Sequence, residues 1–256
     1  MWGNGLERRE GPFKSYNAHM AKKKPTAKNA GIAKQRRNQL LRGQGNYTHG
    51  NDFLTGWVRS AGLLLAAAAS ERRPPGCKNF LSFYGPSAIV AATTAFEVFL
   101  NETLHEGLFI NRTNELEELA TRDSFIQKFR RLPALLTGGD PISSDDVELL
   151  HHVRNEIVHY YPRYIGTDSE VPEWLESLVQ KDVLFTLKPK VTRDIGWTQK
   201  LRSYGLATWS GRTVVTAALQ FADVIVTRVK DRSLGMLAFN VQNNAASLST
   251  LMHSIP

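Results

Sequence analysis

Hydrophobic positions recur at intervals of three and four from about residue 51 to residue 231, a spacing that predicts helices rather than strands. The strongest segment runs from Pro86 to His105, with a proline that suits a first helical turn and Gly107 just past its predicted end. Its apolar and polar positions fall on separate sides. The apolar side comprises Ile89, Ala92, Phe96, Phe99, Leu100 and Leu104, and the polar side comprises Thr94, Glu97, Asn101 and His105.

Several more helices are predicted, and proline, glycine or capping residues mark their ends. They cover residues 53–71, 114–131, the segment between Ser144 and Pro162, and 210–231, with a short helix at 172–180. The 114–131 segment begins with Asn114 and Glu117 at the spacing of a capping box and stops before Pro133. A turn-rich break at 137–141 precedes Ser143 and Ser144, which are good N-cap residues for the next helix.

These elements predict an all-α protein: an up-down four-helix bundle with an extra N-terminal helix and a loop-rich insertion before the last helix. The helical domain would cover residues 51–232, with the core bundle at about 86–231 and the insertion at 163–196. Within the insertion, Val183 to Leu187 could form an isolated strand. The tail at 233–256 has scattered apolar residues, and little order is expected there.

Positive charge is concentrated at the N-terminus. The chain of 256 residues has a net charge of +8, yet residues 1–50 hold eleven Lys or Arg against two Glu, so the remainder is nearly neutral. This segment has few apolar residues, which predicts a disordered basic arm that binds nucleic acid in a salt-dependent way, or a solvated tail without a partner. A third interpretation is that Met20-Ala21-Lys22-Lys23-Lys24 marks the true translational start.

Two features bear on the location of the protein. The single cysteine, Cys77, excludes an intrachain disulfide, so nothing demands an oxidising compartment and the cytoplasm is expected. The longest apolar run, Ala61 to Ala69, falls well short of the roughly 20 residues that a membrane-spanning helix needs. A buried helix is therefore favoured over a membrane or signal segment, and no membrane is expected among the partners.

Candidate chemistry is concentrated in one hexapeptide, Arg154-Asn155-Glu156-Ile157-Val158-His159, near the end of a predicted helix. It combines a permanent cation, an amide and a titratable imidazole, the side-chain types that phosphate binding and phosphodiester cleavage use. On an ideal helix Asn155 and His159 share a face, whereas Arg154 lies about 140° round from His159. Arginine and histidine converge only if the arginine wraps around, the helix loosens before Pro162, or a second subunit supplies the partner group. The motif is therefore interpreted as half of a composite site.

The hexapeptide resembles the signature of HEPN domains, in which an arginine, a polar residue and a histidine form an RNase site near the end of a bundle helix. The segment from Ser87 to Glu102 also resembles the leading helix of several such domains, and the resemblance covers about residues 86–231. It implies a metal-independent endoribonuclease without cofactors that acts on RNA as a homodimer. Such proteins are usually toxins or phage-defence effectors, and an antitoxin is an implied partner.

The resemblance also implies a role for each residue of the site. Arg154 would hold the scissile phosphate and stabilise its developing charge. His159 would act as general base or acid on the 2′-hydroxyl and the leaving oxygen, and Asn155 would orient one of the two. Glu97 and Asn101 are candidate supporting residues on the upstream helix.

Other interpretations of the motif and its neighbours stay open. Tyr161 matches a tyrosine that a partner antitoxin modifies with a nucleotide in one branch of the family, although the helical projection places it on the core side. His151 and His152 could suggest a metal site, but no third ligand at helical spacing accompanies them, so no metal is expected. The rival functions are a non-catalytic nucleic-acid-binding protein that uses the basic arm, and a protein-binding helical scaffold.

Overall fold

Helices account for nearly all the regular structure that the computed structural model describes. The described residues are 50–71, 79–122, 124–159, 173–185, 197–229 and 234–255, and all of them belong to one unit, Tyr47–Pro256. Among these residues there is no β-strand, and a single isolated bridge joins Leu81 to Ser203. The all-α prediction is therefore confirmed. The predicted basic arm lies outside the described residues apart from Gly50.

The helices follow one another along the chain with short connections. In order they are α1 (Gly50–Ser70), α2 (Gly85–Ile110), α3 (Asn114–Arg122), α4 (Phe125–Thr137), α5 (Asp145–Val158), α6 (Glu173–Gln180), α7 (Trp197–Lys200), α8 (Tyr204–Arg228) and α9 (Gly235–Ser249). A 3₁₀ turn, η1 (Thr250–Ser254), follows α9.

The core is organised around α2, which packs against α1, α3, α4, α5, α8 and α9. All six apolar residues predicted for its inner face are buried, as are small residues on its other sides, as expected for a helix surrounded by others. Gly107 does not end this helix. A Cβ at that position would lie 2.6 Å from Leu136 Cδ2, so the glycine permits close contact between α2 and α4 while the helix continues to Ile110.

The segment predicted as one helix over 114–131 is two helices. Ser124 has extended backbone (ψ 164°) between α3 and α4, and α4 then continues through Pro133, which is buried within it. Burial of that side of α4 offsets the hydrogen bond that the proline cannot donate. The cap of α3 also differs from the prediction, because the Leu116 N–H donates to Thr113 Oγ1 at 3.3 Å.

One stripe of α1 is buried, and the other residues of the helix whose burial is described are half-buried or exposed. The buried residues are Leu54, Val58, Ala61, Leu65 and Ala68. The window Phe53–Ser70 is long and apolar enough to cross a membrane by length and composition, and 28% of it is buried within the protein. The expected buried helix is thus buried along one side. Because core helices of soluble proteins pass the same test, the window assigns no location by itself.

The insertion contains the expected short helix, α6, but the described part of the predicted strand is not a strand. Residues 183–185 are held instead by side-chain hydrogen bonds to the loop and helix start beside them. Asn79 Nδ2 donates to the Val183 carbonyl at 2.8 Å, and the Phe185 N–H donates to Ser203 Oγ at 2.6 Å. Leu187 lies outside the described residues. The last predicted bundle helix is α8, which begins at Tyr204 rather than near Ser210.

The C-terminal tail differs most from its prediction. Little order was expected after Ser233, yet α9 packs against α1, α2 and α8. Its buried residues are Leu237, Val241, Ala245 and Leu248, and Leu251 and Ile255 beyond it are also buried. Their spacing of three and four residues is helical, but the Asn and Ser residues between them lower the average hydrophobicity and conceal the period.

Two half-buried carboxylates on α2 face the amides of α9. Asn240 Nδ2 donates to Glu106 Oε1, and Asn244 Nδ2 donates to Glu102 Oε2 at 3.4 Å. The second oxygen of Glu102 is buried, and no group in the described part of the chain forms a hydrogen bond with it. Burial, together with the smaller effect of the neighbouring charge of Glu106, raises the pKa of Glu102 from 4.5 to about 7. The folded protein therefore binds a proton at Glu102 more tightly than the unfolded chain does.

Replacing Glu102 with glutamine is expected to stabilise the protein at alkaline pH. Because the folded-state pKa is raised, the carboxyl group costs stability progressively as pH rises from about 4.5 to 7. With a discount for its partial exposure, we expect a gain of about 1–2 kcal/mol at pH 8 and no difference at pH 4.5. Denaturant unfolding at both pH values measures the difference in free energy of unfolding between the variant and the parent. Glu118→Gln, on the exposed side of α3, is the control, and an equal gain in both variants would contradict the assignment.

Candidate functional site

The motif lies at the C-terminal end of α5, and the sequence of α5 fixes that end in place. Ser144 caps the helix by accepting a hydrogen bond from the Val147 N–H at 3.4 Å, as predicted. Acidic residues in the first turn complement the helix dipole. The buried residues Val147, Leu149, Leu150 and Val153 then anchor α5 to the core. The last turn therefore presents Arg154 and Asn155 at a defined position beside α2.

Arg154 is half-buried and contacts two of the predicted site residues. Its Nη1 donates to Asn155 Oδ1 at 3.1 Å, and its Nη2 lies 3.9 Å from Glu97 Oε2 on α2. These contacts orient the guanidinium but occupy only part of its five N–H donors. The arrangement places a permanent cation, with hydrogen-bonding capacity to spare, at a partly open surface between two helices.

Asn155 is itself held by His151, one helical turn earlier. Asn155 Nδ2 and His151 Nε2 are 3.0 Å apart. Burial lowers the pKa of His151, and the charges of His152 and Arg154 lower it further, so the ring is neutral at neutral pH. If the amide donates, Nε2 accepts and Nδ1 carries the hydrogen. Nδ1 is buried and has no hydrogen-bond partner among the described residues. His151 therefore acts as a brace that fixes the amide, which in turn fixes Arg154.

His159 stands apart from this cluster. It forms the C-cap of α5, its backbone N–H donates to the Asn155 carbonyl at 2.8 Å, and its side chain is exposed. Among the described residues no hydrogen bond joins its ring to Arg154 or Asn155. One chain thus brings together Arg154, Asn155 and Glu97 without His159, and the composite-site interpretation stays a prediction.

The remaining candidates are distributed around the cluster. Asn101 lies one turn beyond Glu97 on α2, and its Oδ1 accepts a hydrogen bond from Lys128 Nζ at 2.8 Å. The His152 ring stacks on Trp174 at 6.1 Å between centroids and meets the His151 ring edge-on at 6.2 Å. Within the described ranges, no three His, Cys, Asp or Glu side chains come together as metal ligands would. Tyr161 lies outside the described residues.

An apolar groove of about 280 Å³ adjoins the motif. Trp57, Ser60 and Leu64 of α1 form one side, and residues 86–91 of α2 form another. Ile157, within the hexapeptide, completes the lining. A groove of this kind is the feature that the protein-binding scaffold alternative would use.

No family model, curated protein or solved structure is significantly similar to this chain. Function is therefore inferred from the residues of the site. Two of them, His151 and Lys128, were not among the predicted site residues. The spacing of four between His151 and Asn155 is a signal that the sequence contains. Lys128 is a lysine among the apolar positions of α4, and that irregularity was the second signal.

Proposed function

We propose that this chain is a metal-independent endoribonuclease of the HEPN type. In this proposal the up-down bundle has four members. The first is α2, the second is α3 together with α4, the third is α5, and the fourth is α8. The observation that carries it is the braced arginine: Arg154 is held by Asn155 and Glu97 at the end of a bundle helix, about one and a half turns before His159. A fixed guanidinium that is partly open to solvent is suited to bind a phosphodiester.

The proposed reaction needs a phosphate ligand and proton transfer. Arg154 binds the scissile phosphate and stabilises the charge that develops on its oxygens. His159 removes the proton from the 2′-hydroxyl, whose oxygen attacks phosphorus as the bond to the 5′-oxygen breaks. The departing 5′-oxygen takes up a proton from water, His159 releases its proton to solvent, and the products carry a 2′,3′-cyclic phosphate and a 5′-hydroxyl. Asn155 orients Arg154, which is one of the two roles that the resemblance implies.

The proposal extends to assembly and biological role. A homodimer would place the exposed His159 of one subunit near the Arg154 cluster of the other. A toxin or phage-defence effector of this kind would act on RNA in the cytoplasm, without a membrane, and an antitoxin would hold it in check. The basic arm would add salt-dependent affinity for RNA.

The experiment incubates the purified protein with total RNA in the presence of a chelator. We expect fragments with 2′,3′-cyclic phosphate ends, and we expect His159→Ala to abolish them because His159 is the proposed general base. His253→Ala, a histidine of η1, is the matched control and should cleave normally. Absence of cleavage by the parent protein would reject the nuclease and favour the scaffold. Equal cleavage by the His159 variant would reject this site.

A further inference from the structure

A buried lysine occupies the apolar side of α4. Phe125, Phe129, Leu132 and Leu136 recur along that side at helical spacing and are buried. Lys128 lies among them and is only 9% exposed. Withdrawing an ammonium group from water costs several kcal/mol unless a carboxylate or several hydrogen bonds replace the lost hydration. A hydrophobic residue would satisfy this position better if packing were its sole requirement.

The compensation that Lys128 receives is incomplete. Its Nζ donates to Asn101 Oδ1 at 2.8 Å, which satisfies one of the three N–H donors of the ammonium. No carboxylate of the described residues lies within 4.0 Å of it. The group is a cation with a neutral partner and donors to spare, which are the properties of an anion-binding residue.

Lys128 and Arg154 lie along the same face of α2. Arg154 is paired with Glu97, and Lys128 is bonded to Asn101, one turn further along the helix. We call Glu97 and Asn101, the α2 partners of the two cations, the anchor points. They are four residues apart and therefore about 6 Å apart along the helix axis. Phe125 lies one turn before Lys128 on α4 and links that helix to α5. Its ring packs edge-on against the His151 ring at 5.0 Å between centroids.

The charge of this cluster is unbalanced. It contains two cations, Lys128 and Arg154, and the single carboxylate of Glu97, which lies 3.9 Å from one of them. His151 adds no charge when neutral. A net positive cluster with an unpartnered buried Nδ1 in its wall would gain from an anionic ligand that supplies hydrogen-bond acceptors.

We propose that Lys128 and Arg154 form a two-cation site that binds neighbouring phosphates of a single RNA strand, with Lys128 holding the phosphate next to the scissile one. The separation of the two anchor points is comparable with the spacing of adjacent phosphates in an extended strand. This inference rests on the proposed function for the role of Arg154, and it adds a residue outside the motif. Lys128 then determines how the strand lies across α2.

The test measures binding apart from cleavage. The probe is a twelve-residue oligouridylate with 2′-O-methyl groups, which cannot be cut because the attacking hydroxyl is blocked. Lys128→Met should lower affinity about tenfold, since a charge-assisted hydrogen bond of this kind is lost. It should also reduce the slope of log K against log salt by about 0.7, the value for one phosphate contact on a single strand. Lys181→Met, which removes an exposed lysine paired with Asp146, is the control and should bind like the parent.

A second variant guards against a folding defect. Asn101→Asp keeps Lys128 but neutralises it with an adjacent carboxylate, so the same loss of affinity and slope is expected in a protein whose packing is unchanged. Inorganic pyrophosphate as a competitor separates a strand site from a site for free phosphate: the proposal expects the oligonucleotide to be bound more tightly. If both variants bind with the affinity and slope of the parent, Lys128 has a structural role and the proposal is wrong.

The outcomes separate this proposal from the nuclease itself. Suppose that oligonucleotide binding depends on Lys128 but the parent protein leaves natural RNA intact. This result supports the two-cation site and rejects the nuclease. Cleavage by the parent together with unchanged binding by the Lys128 variants rejects the two-cation site alone. A parent protein that does not bind the oligonucleotide overturns the two-cation site, and the cleavage experiment then decides on the nuclease.

Discussion

Replacing Arg154 with alanine is expected to reduce RNA cleavage about 10³-fold, the loss typical of removing a preorganised donor from a developing oxyanion. The guanidinium is held by Asn155 Oδ1 at 3.1 Å and by Glu97, and no other described cation contacts this part of α5. Because the interaction strengthens as charge develops, the loss should fall mainly on kcat. Initial rates on a fluorescent oligonucleotide in a chelating buffer measure kcat and KM separately.

Two matched variants sharpen this prediction. Arg154→Lys retains the charge but loses the planar, forked geometry, so an intermediate loss is expected. Arg112→Ala removes an exposed arginine that pairs with Glu117 on α3, and its activity should equal that of the parent. If Arg154→Ala keeps more than a tenth of the parent activity, or if the Arg112 variant loses as much, the braced arginine is not the phosphate ligand.

The site could be predicted in part because two of its determinants are local. Arg154 and Asn155 are adjacent in sequence, and the predicted helix between Ser144 and Pro162 is present as α5. The projection paired Asn155 with His159, whereas the Asn155 side chain contacts Arg154 and His151. Side chains on a helix lean toward its N-terminus, so the residue four positions earlier, rather than the one four positions later, is the neighbour that Asn155 reaches.

The remainder of the site depends on tertiary packing and could not be predicted from periodicity. Lys128 becomes part of the cluster because α4 packs on α2, which brings its ammonium to Asn101 from 27 positions away in sequence. The break between α3 and α4 at Ser124 was also missed, because the spacing of the apolar positions does not mark it. The sequence therefore predicted the helices better than the contacts between them.

Truncation of the chain before Gly235 is expected to prevent cooperative folding. This change removes α9 and η1, whose buried apolar residues include Leu237, Val241, Leu248 and Leu251. Each fully buried side chain of this size contributes roughly 1.5–3 kcal/mol, and together they approach the total stability of about 5–15 kcal/mol that a domain has. The truncation also exposes the sides of α2 and α8 that α9 covers. Circular dichroism and thermal unfolding measure the loss.

A single substitution tests the same packing without removing chain. Leu248 is fully buried, so Leu248→Ala should lower the free energy of unfolding by about 2–5 kcal/mol through lost burial and the cavity that remains. Met236 lies on the same helix and is 66% exposed, so Met236→Ala should change stability by no more than about 0.5 kcal/mol. Equal, small effects of both substitutions would mean that α9 is not packed on the core, and the original expectation of little order after Ser233 would then stand. A large loss of stability in Leu248→Ala alone would establish that α9, which is uncharged and rich in asparagine, is packed on the core. The helical spacing of its apolar residues would then matter more for folding than its polar average composition.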